Sequence, residues 1–129
     1  MRTFDPARTE FGSAGPITVA RWEQQYQLGE RELPFGAMWY TVPAGGSSVR
    51  DQHPEPELSI VLSGTAQVEA GGGVTEVPAG QAFLLDSEEA HVIHNRADQP
   101  VLIFSAYWMP LGSDPVGRPG DTAAVNAGV

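Results

Sequence analysis

Apolar residues from Phe35 onward occur in short runs that are separated by residues typical of turns. The runs cover residues 38–42, 58–62, 65–70, 74–77, 82–85, 91–95 and 101–108, and several are rich in strand-forming residues. Gly, Pro or Ser stands between them, as at 43–46, 63–64, 71–73 and 78–80. No apolar repeat of about 3.6 residues persists over a helix-length window. The pattern predicts an all-β domain, an antiparallel sandwich or barrel.

The two ends of the chain differ from this middle region. Residues 1–15 are polar and contain Pro6, Gly12 and Gly15, which indicates an arm with a short edge strand. Residues 17–28 fit either a strand or a helix, and their β-branched start favours a strand. The last residues carry too little apolar surface to offset the entropy of ordering them. We therefore expect an arm and edge strand at 1–30, a barrel at 31–110 and a disordered tail at 111–129.

Composition and charge exclude several classes of function. The chain has 129 residues, enough for one domain, and a net charge of −9. All seven basic residues are Arg and do not cluster, so we expect no nucleic-acid partner. The absence of Lys excludes a lysine Schiff base, and the absence of Cys excludes thiolate chemistry, disulfides and Cys-based zinc sites. No apolar stretch approaches transmembrane or signal-peptide character, so the expectation is a cytoplasmic protein without a membrane partner.

The candidate chemistry lies in the segment that His53 opens. Residues two and four apart share one face of a strand, so His53 and Glu57 can point the same way, and Asp51 shares their parity. Glu55 has this parity too, but it stands between two prolines and is expected to be exposed at the rim. An imidazole and a carboxylate on one face are typical ligands of a first-row metal. A second imidazole from a facing strand would complete a set of two His and one carboxylate.

Two segments resemble the motifs of the cupin family. The first reads Gly45, five residues, Asp51-Gln52-His53, three residues, Glu57, six residues and Gly64. The second comprises Gly72, Val77-Pro78-Ala79-Gly80, His91 and Asn95. Together they span residues 45–95 in the family's order. The resemblance implies an RmlC-like antiparallel jelly-roll β-barrel with one divalent metal ion held by His53, Glu57 and His91. His94, three residues after His91, should face the opposite side of its strand.

The departure from the family pattern is Asp51, which stands where the family usually has its first His. Two interpretations remain open at this stage. Asp51 is a fourth metal ligand, or it is a general base or hydrogen-bonding neighbour beside a metal-bound water. Direct ligation by Asp51 would suit the tetrahedral preference of zinc, which we favour narrowly. Without it, Fe(II), Mn and Ni become equally suitable.

The resemblance leaves the reaction open, because cupin barrels host many chemistries. We expect a metalloenzyme that acts on a small polar metabolite, with an amino-acid derivative as one option and no reaction class assigned. One alternative is a non-catalytic cupin that binds or senses a small molecule. Another is the zinc-cupin component of a two-protein synthetase in a natural-product pathway, which would need a separate enzyme partner. A homodimer is also expected, because an extended arm at residues 1–20 can pair with or cover a sheet edge.

Overall fold

In the computed structural model, residues 1–29, 32–110 and 112 are described. The described residues form nine strands, a 3₁₀ turn and one short helix. The N-terminal part holds the 3₁₀ turn Pro6–Arg8, β1 (Gly12–Ala14), β2 (Ile17–Arg21) and α1 (Trp22–Gln25). The remaining strands are β3 (Gly36–Val42), β4 (Glu57–Ser63), β5 (Thr65–Ala70), β6 (Gly73–Pro78), β7 (Ala82–Leu85), β8 (His91–His94) and β9 (Val101–Tyr107). The sequence prediction of an all-β domain is confirmed.

The strands form two antiparallel sheets. The larger has six strands in the order β1-β2-β3-β9-β4-β7, and the smaller has three in the order β6-β5-β8. Every pairing between neighbouring strands is antiparallel, and β9 pairs with both β3 and β4. The chain changes sheet between β4 and β5, between β6 and β7, between β7 and β8, and between β8 and β9. The chain therefore crosses repeatedly between the sheets and encloses a space between them.

Alternating side chains fill this space. In β9 the residues alternate between buried and half-buried, and in β4 Glu57, Ser59 and Val61 are buried while Leu58 and Ile60 are exposed. The apolar core draws on both sheets, with Tyr40, Ile103 and Val61 from the larger and Val68, Val77 and Ile93 from the smaller. Among the described strand residues, and apart from the tyrosines, the buried charged, hydroxyl or imidazole side chains are those of Glu57 and Ser59 in β4, His91 in β8 and Ser105 in β9. Burying polar groups is costly unless they are hydrogen-bonded, so these residues call for a separate explanation.

Two residues secure the turns that bring the strands together. Gly64 lies between β4 and β5 with φ +80°, and a Cβ there would come within 3.0 Å of the carbonyl oxygen of Pro100. Only glycine accepts both conditions without strain. The Asn95 side chain, after β8, donates to the carbonyl oxygens of Val42 and Gln99 and accepts a hydrogen bond from the amide of Ala97. Asn95 therefore ties the turn after β8 to the end of β3 and to the loop before β9.

The N-terminal residues join the larger sheet of their own chain. β2 pairs with β3, and β1 pairs with β2 at the edge of the sheet. Residues 17–28, which fitted a strand or a helix, contain both, since β2 leads directly into α1. The predicted tail at 111–129 lies outside the described residues except for Gly112, and the homodimer stays a prediction. None of the helices in the described part of the chain has the length and apolar character that a bilayer-spanning helix needs.

Candidate metal centre

Three local structures bring the candidate ligands to one end of the barrel. His91 is the first residue of β8, and Glu57 is the first residue of β4. Asp51 forms an isolated antiparallel bridge with His91, with amide-to-carbonyl hydrogen bonds of 3.0 and 2.9 Å. His53 lies in the extended segment between this bridge and β4. The prediction that residues 51, 53 and 57 share one face assumed a strand, whereas most of this segment is extended chain outside the regular strands.

The side chains of Asp51, His53 and His91 converge. Each offers one ligand atom, and these atoms lie within 4.8 Å of one another. All three side chains are buried, with relative exposures of 8%, 4% and 0%. Within residues 1–29, 32–110 and 112, no other trio of His, Asp or Glu converges in this way. Ligand atoms at roughly 2.0–2.2 Å from one metal ion lie no more than about 4.4 Å apart, so only a small approach of the three side chains is needed to hold an ion.

Both imidazoles are oriented by backbone carbonyl groups. His53 Nδ1 lies 2.8 Å from the carbonyl oxygen of Glu55, and His91 Nδ1 lies 2.9 Å from that of Glu89. A carbonyl can only accept, so each Nδ1 carries the proton and each Nε2 is left as the ligand atom. Metal-binding histidines are commonly held by such an outer hydrogen bond.

Two buried atoms of the centre have no hydrogen-bond partner among the described residues. They are His91 Nε2 and Asp51 Oδ2. Asp51 Oδ1, in contrast, accepts a hydrogen bond of 2.8 Å from the amide of Gln52. Buried polar atoms are rarely left without a partner, and a lone pair on nitrogen beside a carboxylate oxygen fits a divalent cation. The residues present therefore fit the metal that the sequence motifs implied.

Glu57 is adjacent to this trio but is held differently. Its Oε1 lies 3.3 Å from His53 Nε2. Its Oε2 lies 3.1 Å from the hydroxyl of Ser105 and 3.4 Å from that of Ser59. The trio that converges thus contains Asp51, whereas the family resemblance implied Glu57 in the third place. All four predicted site residues are nevertheless buried within one group of contacts.

Burial and charge alter the acid–base properties of the centre. Burial raises the pKa of Asp51, although the Gln52 amide and the two imidazoles oppose the effect. Burial alone would lower the pKa of His53, but the hydrogen bond and negative charge of Glu57, with help from Asp51, raise it overall. Burial, followed by the charge of Glu57, raises the pKa of Tyr40 well above its usual value. Without a metal, Glu57 therefore favours the protonated form of His53.

One expectation about this segment is wrong. Glu55 was expected to be exposed at the rim, yet its relative exposure is 0%. Residues 51, 53, 55 and 57 all turn inward, so the shared parity that placed the ligands also applied to Glu55. The flanking prolines do not carry it outward. Its Oε1 lies 3.9 Å from His53 Nδ1, which adds a third carboxylate close to the histidines.

His94 lies away from the centre, as its position in the strand predicted. Its Nδ1 contacts the Ser47 hydroxyl at 2.6 Å, and its Nε2 contacts Glu69 Oε1 at 3.1 Å. Tyr40, Ser59 and Ser105 are neighbours of Glu57 that the sequence analysis did not identify as part of the site. The signal that would have found the serines is a polar residue at the inward position of an otherwise apolar strand.

Comparisons with known proteins agree with this architecture. The family model described as a cupin domain matches residues 38–107. A cupin 2 conserved barrel domain protein from Salinispora arenicola is 23% identical, with a TM-score of 0.67, and the match covers 84% of this chain and 87% of that one. A protein of Photorhabdus luminescens is 22% identical, with a TM-score of 0.68, covering 84% and 86%. A predicted oxalate decarboxylase from Thermotoga maritima is 18% identical, with a TM-score of 0.70, covering 84% and 100%. At these identities the likeness shows the fold, which is the predicted jelly-roll barrel.

Proposed function

This chain belongs to the cupin family, and on that basis we propose that it binds one divalent metal ion and acts as an enzyme on a small polar metabolite. The convergence of Asp51, His53 and His91 carries the proposal. Their ligand atoms lie within 4.8 Å of one another, and two of them are buried without a hydrogen-bond partner in the described part of the chain. A divalent ion bound there supplies a Lewis acid that can polarise a carbonyl group or activate water.

The proposed ligand set has four members. Asp51, His53 and His91 form the converging trio, in which Asp51 Oδ2 and the two Nε2 atoms are the proposed ligand atoms, and Glu57 Oε1 is the neighbouring oxygen that faces His53. Two nitrogens and two oxygens suit a tetrahedral zinc ion, so zinc stays narrowly favoured over Fe(II), Mn and Ni. In the alternative arrangement, Asp51 stays outside the ligand set and serves as a general base, a role that its raised pKa would support.

The charge of the site limits the class of substrate. Asp51, Glu55 and Glu57 are buried around the histidines, and the buried polar residues of the described chain include no Arg. The three carboxylates disfavour a substrate that relies on several phosphates. A small polar molecule, such as an amino-acid derivative, fits better. The Thermotoga maritima neighbour is described as a predicted oxalate decarboxylase, which supports an enzymatic role for this scaffold and not that reaction.

Metal analysis of the purified protein tests the metal site. We expect about one zinc or other divalent ion per chain in the wild type, and loss of most of it in His53→Ala, Glu57→Ala and His91→Ala. His94→Ala is the matched control, because it removes an imidazole of the same strand that faces Ser47 and Glu69. Equal metal loss in all four variants, or no uptake by the wild type after reconstitution with zinc and anaerobic iron, would refute the proposal.

Turnover separates an enzyme from a binding protein. The metal-loaded protein can be incubated with a panel of amino-acid-derived metabolites, and the mixture followed by mass spectrometry beside the metal-depleted protein and His91→Ala. Product that appears only with the loaded wild type supports an enzyme. A metabolite that binds with a measurable affinity but is recovered unchanged would support the non-catalytic alternative instead.

A further inference from the structure

We propose that the buried pair Ser59 and Ser105 positions Glu57 for the metal by holding one oxygen of its carboxylate, so that only the other oxygen faces the centre. This inference rests on the metal site proposed above. The two serines are residues of adjacent strands and are direct partners in the register of β4 and β9. Both have a relative exposure of 0%, and Glu57 has 1%. Three polar side chains without access to water must therefore satisfy one another.

The number of hydroxyl protons and the contact distances together favour one direction of the network. Ser105 Oγ donates to Glu57 Oε2 at 3.1 Å, because a carboxylate oxygen accepts. Ser105 has no second proton, so Ser59 is the donor in the 2.6 Å contact between the two hydroxyls. The 3.4 Å approach of Ser59 to Glu57 Oε2 is the longer of the two options for its single proton. The hydroxyl dipoles therefore run from Ser59 through Ser105 to Glu57 Oε2.

This arrangement leaves the two oxygens of Glu57 with different surroundings. Oε2 is held by the serines deep in the barrel, whereas Oε1 lies 3.3 Å from His53 Nε2, which is a member of the converging trio. A carboxylate held in this way can give one oxygen to a metal and cannot easily rotate to give two. Neighbours that orient a ligand typically change metal affinity by 10–100-fold when they are removed.

The pair has another polar neighbour besides Glu57, the Tyr40 hydroxyl. The neighbours of the pair in the same sheet include Met38, the register partner of Ser105 in β3, and Phe83, the register partner of Ser59 in β7. Apolar residues would fill these inward positions without any need for a polar partner. The presence of two hydroxyl groups at these positions is explained if they hold the carboxylate of Glu57 in one orientation.

The test compares metal affinity with stability in matched variants. Zinc affinity is measured by competition with a chelator, the visible spectrum is recorded with cobalt(II) in place of zinc, and thermal unfolding of the metal-free proteins gives stability. We expect Ser105→Ala to weaken zinc binding by about 10–100-fold and to alter the cobalt spectrum. Ser59→Ala should have a smaller effect, because it contacts Glu57 mainly through Ser105.

Two further variants separate positioning from a structural role. Ser105→Thr keeps the hydroxyl but adds a methyl group at a fully buried site, so it should lose stability while keeping zinc affinity and the cobalt spectrum. Ser48→Ala removes another buried serine, whose hydroxyl accepts from the amide of Ile93 at 2.9 Å and does not contact Glu57. It should also lose stability without losing affinity.

The outcomes distinguish a failure of the positioning role of the serines from a failure of the proposed metal site. If the wild type binds zinc and Ser105→Ala binds it equally well with an unchanged cobalt spectrum, the positioning role is wrong and the metal site stands. If Ser48→Ala weakens binding as much as Ser105→Ala does, the effect is one of general stability and the positioning role is again wrong. A wild type that takes up neither zinc nor cobalt overturns the metal site itself.

Discussion

Replacing Asp51 by Asn should make the metal-free protein more stable and the metal-loaded protein less stable. Asp51 Oδ1 accepts a hydrogen bond from the amide of Gln52, and the Asn carbonyl oxygen can keep that bond. Oδ2 is buried and has no hydrogen-bond partner among the described residues. Burial is the largest cause of the raised pKa of Asp51, which means that the folded, metal-free protein disfavours the ionised carboxylate.

The two effects can be estimated separately. Exchanging a buried carboxylate, one oxygen of which has no hydrogen-bond partner among the described residues, for a neutral amide should raise the free energy of unfolding of the metal-free protein by about 1 kcal/mol, since the amide costs less to bury. For a chain of this size, that corresponds to a rise of about 3–5 °C in Tm. A metal present at 100 times its Kd stabilises the wild type by about 2.7 kcal/mol, or about 10 °C. The amide introduced by Asp51→Asn offers an N–H donor where the metal needs a lone pair, so most of this second gain should disappear.

The assay is thermal unfolding of both proteins at neutral pH, with a chelator and with zinc. Asp98→Asn, which changes an exposed carboxylate, is the matched control and should behave like the wild type. The destabilising charge of Asp51 exists only above its raised folded-state pKa, so the advantage of the metal-free variant should shrink as the pH falls through that value. The reasoning is refuted if Asp51→Asn is less stable than the wild type in chelator, or if zinc still raises its Tm by the wild-type amount.

Three other changes have expected outcomes. Because the pKa of His53 is raised, His53 holds a proton that the metal must displace at low pH. The stabilising contact of protonated His53 with Glu57 is lost as the pH rises above that folded-state pKa. The zinc-dependent rise in Tm, measured by thermal unfolding, should therefore be larger near pH 8 than near pH 6. Asn95→Ala removes three hydrogen bonds to the main chain and should cost about 2–4 kcal/mol in urea unfolding, with metal content unchanged. Gly64→Ala forces a Cβ against Pro100 at φ +80° and should cost about 1–3 kcal/mol in the same assay. The control is Gly72→Ala, whose Cβ would meet no atom within 4 Å, so it should cost only the strain of its positive φ.

Most strands were predictable because their signal is local. The run at 58–62 and the turn at 63–64 define β4 and its end from neighbouring residues alone, and the structure places the strand at Glu57–Ser63. The short helix α1 was not separated from β2, because four residues carry too little periodicity to distinguish a helix turn from a strand end. The sequence thus predicted strands well where the apolar runs were long and where Gly, Pro or Ser indicated the turns between them.

The site was predictable only as far as motif spacing and strand parity extend. Parity correctly separated His94 from His91, since successive side chains in β8 alternate between the two faces. The same argument placed Asp51, His53 and Glu57 together but could not show which of them converge on one point. That depends on the bridge between Asp51 and His91 and on the contacts of Glu57 with the serines, which involve residues far apart in sequence. The burial of Glu55 was missed because the flanking prolines suggested a surface turn.

The carboxylate at position 51 also changes what the proposed centre can attract. A divalent ion with ionised Asp51 and Glu57 has no net charge, whereas an imidazole at position 51 would leave a charge of +1. One unit charge at about 4 Å is worth about 4 kcal/mol at an effective dielectric constant of 20, so the difference is large enough to decide which ligands bind. We therefore expect the cobalt-loaded protein to respond weakly to oxalate and more strongly to an uncharged amide in a spectroscopic titration. The opposite order would mean that the centre carries a net positive charge, and that Asp51 or Glu57 is protonated or turned away from the metal.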